Sequence, residues 1–190
     1  MPKQWSKCAW VTTTVGESPV TARTAVASSL PCRIVINVQG DEPLLDPRVI
    51  DAVAEPLVAD PLLEMATACR PLCEPAEFTN PNAVKVVHDE AGRALYFSRA
   101  PVPWPRATPD LPPPAARIHI GLYAYRRDVL LRLAGLPPVD LERVEALEQL
   151  RALTHGIGIH VVETDYDSLG VDTPEDLERV RQRMLAGTKT

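Results

Sequence analysis

No stretch of the 190 residues approaches the roughly 18 consecutive apolar side chains that cross a bilayer. The opening Met1 to Thr14 interrupts its apolar residues with Lys3, Gln4 and Lys7, so it does not read as a signal peptide either. Membrane spanning and export are therefore not expected, and the chain reads as cytoplasmic. Positive charge is also scarce: 20 basic against 25 acidic residues leave a net charge of −5, with no basic stripe. Such a surface repels a phosphate backbone, and nucleic acid is not expected as a partner. The four cysteines, Cys8, Cys32, Cys69 and Cys73, have neither the density of a disulfide scaffold nor the paired C-x-x-C spacing of a zinc site. They read as reduced thiols. No internal repeat is present. Apolar residues at 45% and charged residues at 24% are globular proportions, and the length suits one domain.

Charge is unevenly placed. Residues 1–32 hold a single acidic residue, Glu17, are rich in Thr and Ser, and follow neither a helical nor a strand period. They are expected as an atypical, poorly ordered N-terminal segment, with the domain proper over 33–190. From Arg33 the pattern sharpens: Ile34, Val35, Ile36 and Val38 form a β-branched run ending at Gly40, the mark of a buried strand. Asp46 and Pro47 then open a helix whose apolar face is Val49, Ile50, Val53 and Leu57, with Pro56 expected to bend or end it. Residues 65–69 read as a strand, and 83–88 with 93–97 as a hairpin around Asp89 to Gly92. Seven prolines between 101 and 114 deny both ladder and helix. A strand is expected over 118–125 and a short helix over 128–133. One longer helix should follow over 141–153, with Leu141, Val144, Leu147 and Leu150 on one face. A strand over 159–162 and a helix opening at Thr173-Pro174 complete the chain. Strands and helices mix along the whole length, which predicts a three-layer α/β domain.

The run VINVQGDEP delivers Gln39, Gly40, Asp41 and Glu42 just past the carboxyl end of a buried strand, the edge where open α/β sheets bind ligands. Adjacent carboxylates there suit a divalent cation held against phosphate oxygens, although the pattern alone reads first as a polar turn before the next helix. Asp172, in GVDTPEDL, precedes a helix that Thr173 can cap without it, which leaves its carboxylate available. His119 and Tyr123 lie four apart in RIHIGLYAY, so strand alternation sends both to the face opposite Ile118, Ile120 and Leu122. Glu145, Glu148 and Gln149 cluster on a helix, an arrangement usual for a solvated face. Arg99 follows Ser98 at a strand end, where its guanidinium could grip a carboxylate or cap the sheet.

VINVQGDEP, FTNPNAVKVV, ALYFSRAPVPW, HIGLYAYRRDVL, LERVEALEQLRAL and GVDTPEDLERVR occur in order between about Arg33 and Met184. In that order they resemble the 3-deoxy-manno-octulosonate cytidylyltransferase (CMP-Kdo synthetase) family of lipopolysaccharide biosynthesis. The resemblance implies a Rossmann-like nucleotide-diphospho-sugar transferase fold with a mixed sheet, a homodimer, and Mg²⁺-dependent transfer of CMP from CTP to the sugar acid Kdo with release of pyrophosphate. It assigns Asp41 and Asp172 to catalytic magnesium, Gln39 to the nucleotide, and Arg99, His119, Tyr123, Glu148 and Gln149 to Kdo. Kdo offers a carboxylate for Arg99 and hydroxyls for the others, and buried polar groups need polar partners.

The family's opening glycine-containing loop with Arg, Ser and Lys, and its segment of the type DHxSGTDR, have no evident counterpart in residues 1–32. The expectation that follows is an N-terminally incomplete domain of weak or absent turnover, since nothing there replaces the basic phosphate contacts. A non-catalytic sugar-acid-binding, dimerising fragment is one alternative. Activation of another sugar acid, such as sialic acid, is the other.

Overall fold

The computed structural model describes residues 8–13, 27–29, 31–40, 42–108, 112–166, 170–171 and 173–187. Its strands are β1 (Cys8–Thr13), β2 (Ile34–Gln39), β3 (Met65–Pro71), β4 (Lys85–His88), β5 (Ala94–Ser98), β6 (Arg117–Arg126) and β7 (Ile159–Glu163). Its helices are α1 (Pro47–Ala59), α2 (Pro75–Thr79), α3 (Arg127–Ala134), α4 (Asp140–Glu145), α5 (Gln149–Thr154) and α6 (Pro174–Gly187). The sheet runs β1-β2-β6-β3-β7, with β4 pairing β5 and the start of β6. Parallel pairs (β1 with β2, β3 with β7) and antiparallel pairs (β2 and β3 with β6) make it mixed.

Alternating side chains divide the core between the two faces of this sheet. On one face Ile34, Ile36, Ala66, Ala68, Ile120, Leu122 and Ala124 meet Val49, Val53, Ala54 and Leu57 of α1. On the other, Val35, Met65, Tyr123, Tyr125 and Val161 meet Val129, Leu130 and Leu133 of α3 and Leu150 of α5. Helices on both faces give the three layers that the alternating elements predicted.

Several expectations need correction. Residues 8–13 are not loop: they form β1, paired in parallel with β2 from Cys8↔Ile34 to Thr13↔Gln39. Residues 27–29 are helical, Ala27 is fully buried, and the Arg127 guanidinium donates to its carbonyl at 2.6 Å. Order in these pieces comes from pairing with residues far along the chain, to which local periodicity is blind. Helix α1 passes Pro56 and continues to Ala59, because Val53, Ala54 and Leu57 are buried against the sheet and the Asp60 amide closes on the Pro56 carbonyl at 2.9 Å. The helix expected over 141–153 is broken in two by Ala146, which is left-handed at φ 51° and ψ 47°. Leu147 and Leu150 are buried, whereas Leu141 and Val144 are exposed. The 83–97 hairpin forms as expected. Its turn closes with Asp89 Oδ1 accepting from the Ala91 and Arg93 amides, and Gly92 takes φ +76° with no room for a Cβ beside the His160 ring.

Candidate active-site cleft

One edge of β6 serves two different neighbours. Leu122 to Arg126 pair with β2, while Arg117 and Ile118 pair with β4. Where β2 ends and β4 has not yet begun, the edge opens onto a cleft of about 620 Å³ lined by Ile118, His119 and Gly121. Gln39, the last residue of β2, lies against Gly121 so closely that a Cβ there would sit 2.5 Å from Gln39 Oε1. The carboxyl end of a central strand thus borders the cleft, as the VINVQGDEP run led one to expect.

His119 is held from several sides. Its amide donates to the Val84 carbonyl at 2.8 Å, and its Nε2 lies 2.9 Å from Thr67 Oγ1. Phe97 stands edge-on to its ring at 5.1 Å, and Tyr123 lies at 5.3 Å between centroids. The two strand residues four apart do share a face. Enclosure by these groups pushes the imidazole down to about 3, because burial penalises its charged form. Tyr123 itself is buried behind His119 and is not on the cleft lining.

Arg99 reaches the lining, but it caps a helix rather than the sheet. Its Nε donates to the Glu145 carbonyl at 2.7 Å, Nη2 to the Ala146 carbonyl at 3.4 Å, and Nη1 to the Pro81 carbonyl at 2.8 Å. The guanidinium therefore satisfies the frayed end of α4 where left-handed Ala146 interrupts the helix. Arg70 and Arg179, also on the lining, are instead paired with Glu77 and Asp176. Burial works against ionisation of Glu77, but the Arg70 hydrogen bond and the Glu74 and Cys73 amides outweigh it and hold the carboxyl below its ordinary range.

Glu145 is no solvated helix residue. Its carboxylate accepts from Ser98 Oγ at 2.8 Å and from the Arg99 amide at 2.9 Å, which docks α4 onto the end of β5. Beneath them Lys85 is fully buried, and its Nζ donates to the carbonyls of Asn80 and Arg99, each at 2.8 Å. Burial and, secondarily, the Arg99 charge push this ammonium down to about 8, with Glu145 opposing. Gln149 is buried at the start of α5 and Glu148 precedes it, and neither lines the cleft.

Asp41 and Asp172 lie outside the described residues. Their sequence neighbours Glu42 and Thr173 both line the cleft. Thr173 caps α6 reciprocally: its hydroxyl accepts from the Asp176 amide at 3.2 Å, and Asp176 Oδ2 accepts from the Thr173 amide at 2.9 Å. Among the described residues no group of three or more His, Cys, Asp or Glu could hold a metal. Arg70, Lys85 and Glu77 were missed in the sequence, although an arginine closing the apolar strand MATACRP was a readable signal. Cys32, Cys69 and Cys73 are free, and burial raises the Cys69 thiol to about 12.

The family model described as cytidylyltransferase matches residues 11–161, beginning inside the segment that composition had set apart. The chain is 53% identical over 165 residues to 3-deoxy-manno-octulosonate cytidylyltransferase of Syntrophotalea carbinolica, covering 84% of this chain and 66% of that one. Identity to the enzyme of the same name from Solibacter usitatus is 54% over 162 residues, with 85% and 63% covered. The chain thus spans just under two thirds of the length of these curated relatives. A solved structure of CMP:2-keto-3-deoxy-manno-octonic acid synthetase complexed with CTP superposes with a TM-score of 0.82 at 40% identity, covering 91% of this chain and 70% of that one.

Proposed function

The chain belongs to the cytidylyltransferase family, and on that premise we propose that it transfers CMP from CTP to 3-deoxy-D-manno-octulosonate (Kdo), releasing pyrophosphate. The observation that carries this reading is the likeness to relatives of that name at 53% and 54% identity, over 84% and 85% of this chain. On this reading the nucleotide lies at the carboxyl edge of β2, against Gln39. The sugar acid lies against His119 and Arg99, with Tyr123 behind His119. Glu148 and Gln149 do not line the cleft, and their assignment to the sugar acid rests on the motif LERVEALEQLRAL alone.

The anomeric hydroxyl oxygen of Kdo gives up its proton to solvent and forms a bond to the α-phosphorus of CTP, while the bond from that phosphorus to the bridging oxygen breaks and pyrophosphate leaves. Holding the two substrates in line is the main task of the protein, since such transfers depend on position and charge. Arg99 contributes positive charge where a sugar carboxylate would sit, because its guanidinium is bonded to carbonyl oxygens while its neighbours Arg70 and Arg179 are paired with acids. Neutral His119 serves as a hydrogen-bonding partner for a hydroxyl. Two carboxylates, Asp41 and Asp172, suit magnesium, and the lining of one cleft by Glu42 and Thr173 supports their joint use. When bound, magnesium supplies compensation for the phosphate charge.

The protein is read as a cytoplasmic homodimer. No helix among the described residues is long and apolar enough to cross a membrane. The test is pyrophosphate release from CTP with Mg²⁺, comparing Kdo with sialic acid as acceptor. Release that depends on Kdo is expected, and it should be slow, because residues 1–32 do not replace the family's basic phosphate contacts. Equal release with sialic acid, or none with Kdo under conditions where CTP binds, overturns the reading.

A further inference from the structure

The hydroxyl of Thr67 meets three groups at once. Its Oγ1 lies 2.7 Å from the Leu122 carbonyl oxygen, 3.4 Å from that of Ile120, and 2.9 Å from His119 Nε2. These carbonyls belong to the stretch of β6 where the register against β3 slips, from Thr67↔Tyr123 to Ala68↔Ile120. A hydroxyl has one proton to give, and carbonyl oxygens can only accept. At 2.7 Å the pair formed with Leu122 needs that proton between its two oxygens. Thr67 therefore has only a lone pair to offer His119, and Nε2 must be the nitrogen that carries hydrogen. The ring is neutral, so its other nitrogen is bare.

We propose that Thr67 is a positioning residue that locks His119 in the Nε2–H tautomer and thereby leaves Nδ1 as a hydrogen-bond acceptor for a hydroxyl of the ligand in the cleft. The enclosure that keeps the imidazole uncharged supports this, because a protonated ring would donate from both nitrogens. The proposal rests on the sugar-acid reading only for the identity of the hydroxyl. The hydrogen on Nε2 follows from the distances, and the bare Nδ1 from the burial that keeps the ring uncharged.

The test uses the full chain labelled with ¹⁵N-histidine, with the His119 resonances assigned by comparison with His119→Gln. Nitrogen chemical shifts should show hydrogen on Nε2 and none on Nδ1, unchanged from pH 5 to pH 8. Thr67→Val, of nearly the same shape, removes the acceptor and should convert His119 to a mixture of tautomers. Thr67→Ser should restore the single form. In calorimetric titrations Thr67→Val should weaken Kdo binding about tenfold while CTP affinity stays within about twofold, and Thr67→Ser should recover it. Hydrogen on Nδ1 in the unaltered protein overturns the proposal, and that measurement stands even where Thr67→Val fails to fold. An unmixed Nε2–H form in folded Thr67→Val overturns it as well. If the unaltered protein shows the expected tautomer yet binds no Kdo, the lock holds and the sugar-acid reading fails.

Discussion

Gln39 and Gly121 interlock across the mouth of the cleft: the side chain that closes β2 occupies the space that a Cβ on residue 121 would fill. Two strands are joined there through the absence of a side chain. The consequence is that a single methyl group can separate binding from folding.

In Gly121→Ala the new methyl meets the far end of a flexible amide rather than backbone, so Gln39 swings aside. Stability should fall by no more than about 1 kcal/mol. CTP affinity, read by calorimetry, should fall about tenfold, with Kdo affinity changed far less. A variant that binds CTP as before would remove Gln39 from the nucleotide site.

Glu145→Ala takes the acceptor from Ser98 Oγ and the Arg99 amide and undocks α4 from β5. The expected cost is about 1–2 kcal/mol in urea unfolding, discounted for partial exposure. Burial opposes ionisation of Glu145, yet the Arg99 amide and the Ser98 and Tyr96 hydroxyls hold its carboxyl below the ordinary value. A lowered carboxylate contributes stability above its unfolded value, and that stability is lost as pH falls through the folded one. The contribution should therefore be present at neutral pH and vanish in acid below the usual carboxylate range. The gap between the unaltered protein and Glu145→Gln should narrow there.

Lys85 has the opposite sign to a salt-bridged lysine. Its folded value of about 8 lies below the ordinary lysine value of 10.5, so the native state sheds a proton that the unfolded chain keeps. Stability should rise as pH climbs from about 8 towards 10.5, while the penalty for burying the ammonium is fully present at lower pH. Lys85→Met should flatten that rise. At pH 7 it should also cost about 1–3 kcal/mol, because the carbonyls of Asn80 and Arg99 lose their donor. A chemical-denaturation series from pH 7 to pH 10.5 checks both statements.

Asp41→Asn and Asp172→Asn, made separately, should each lower turnover at least a hundredfold and weaken magnesium or manganese binding in the presence of CTP. Thermal unfolding without metal should change little. Manganese-dependent water-proton relaxation, measured with and without CTP, distinguishes a shared metal from two independent effects. If only one variant lowers metal affinity, the two carboxylates do not act on one ion.

What the sequence determined by itself was whatever rests on local chemistry. The β-branched run Ile34 to Val38 makes a strand in any sheet that buries it, Asp89 to Gly92 makes a turn because of Asp side-chain acceptors and a glycine at positive φ, and Thr173 with Asp176 starts a helix through reciprocal hydrogen bonds. Alternation on β6 likewise put His119 and Tyr123 on one face, and the ordered motifs carried the family. Tertiary structure decided the rest, because it depends on partners distant in the chain. Residues 8–13 became a strand only through β2. Helices α4 and α5 separated at Ala146 although the apolar period of 141–153 runs through the break, since Glu145 is drawn to Ser98 and Arg99 and the Arg99 guanidinium meets the carbonyls left open. Arg99 as a helix cap, Lys85 beneath it, and Thr67 as the partner of His119 leave no trace in periodicity. Each is a hydrogen bond made across the sheet or between layers, and a side chain selects such a partner only after the strands have set its position.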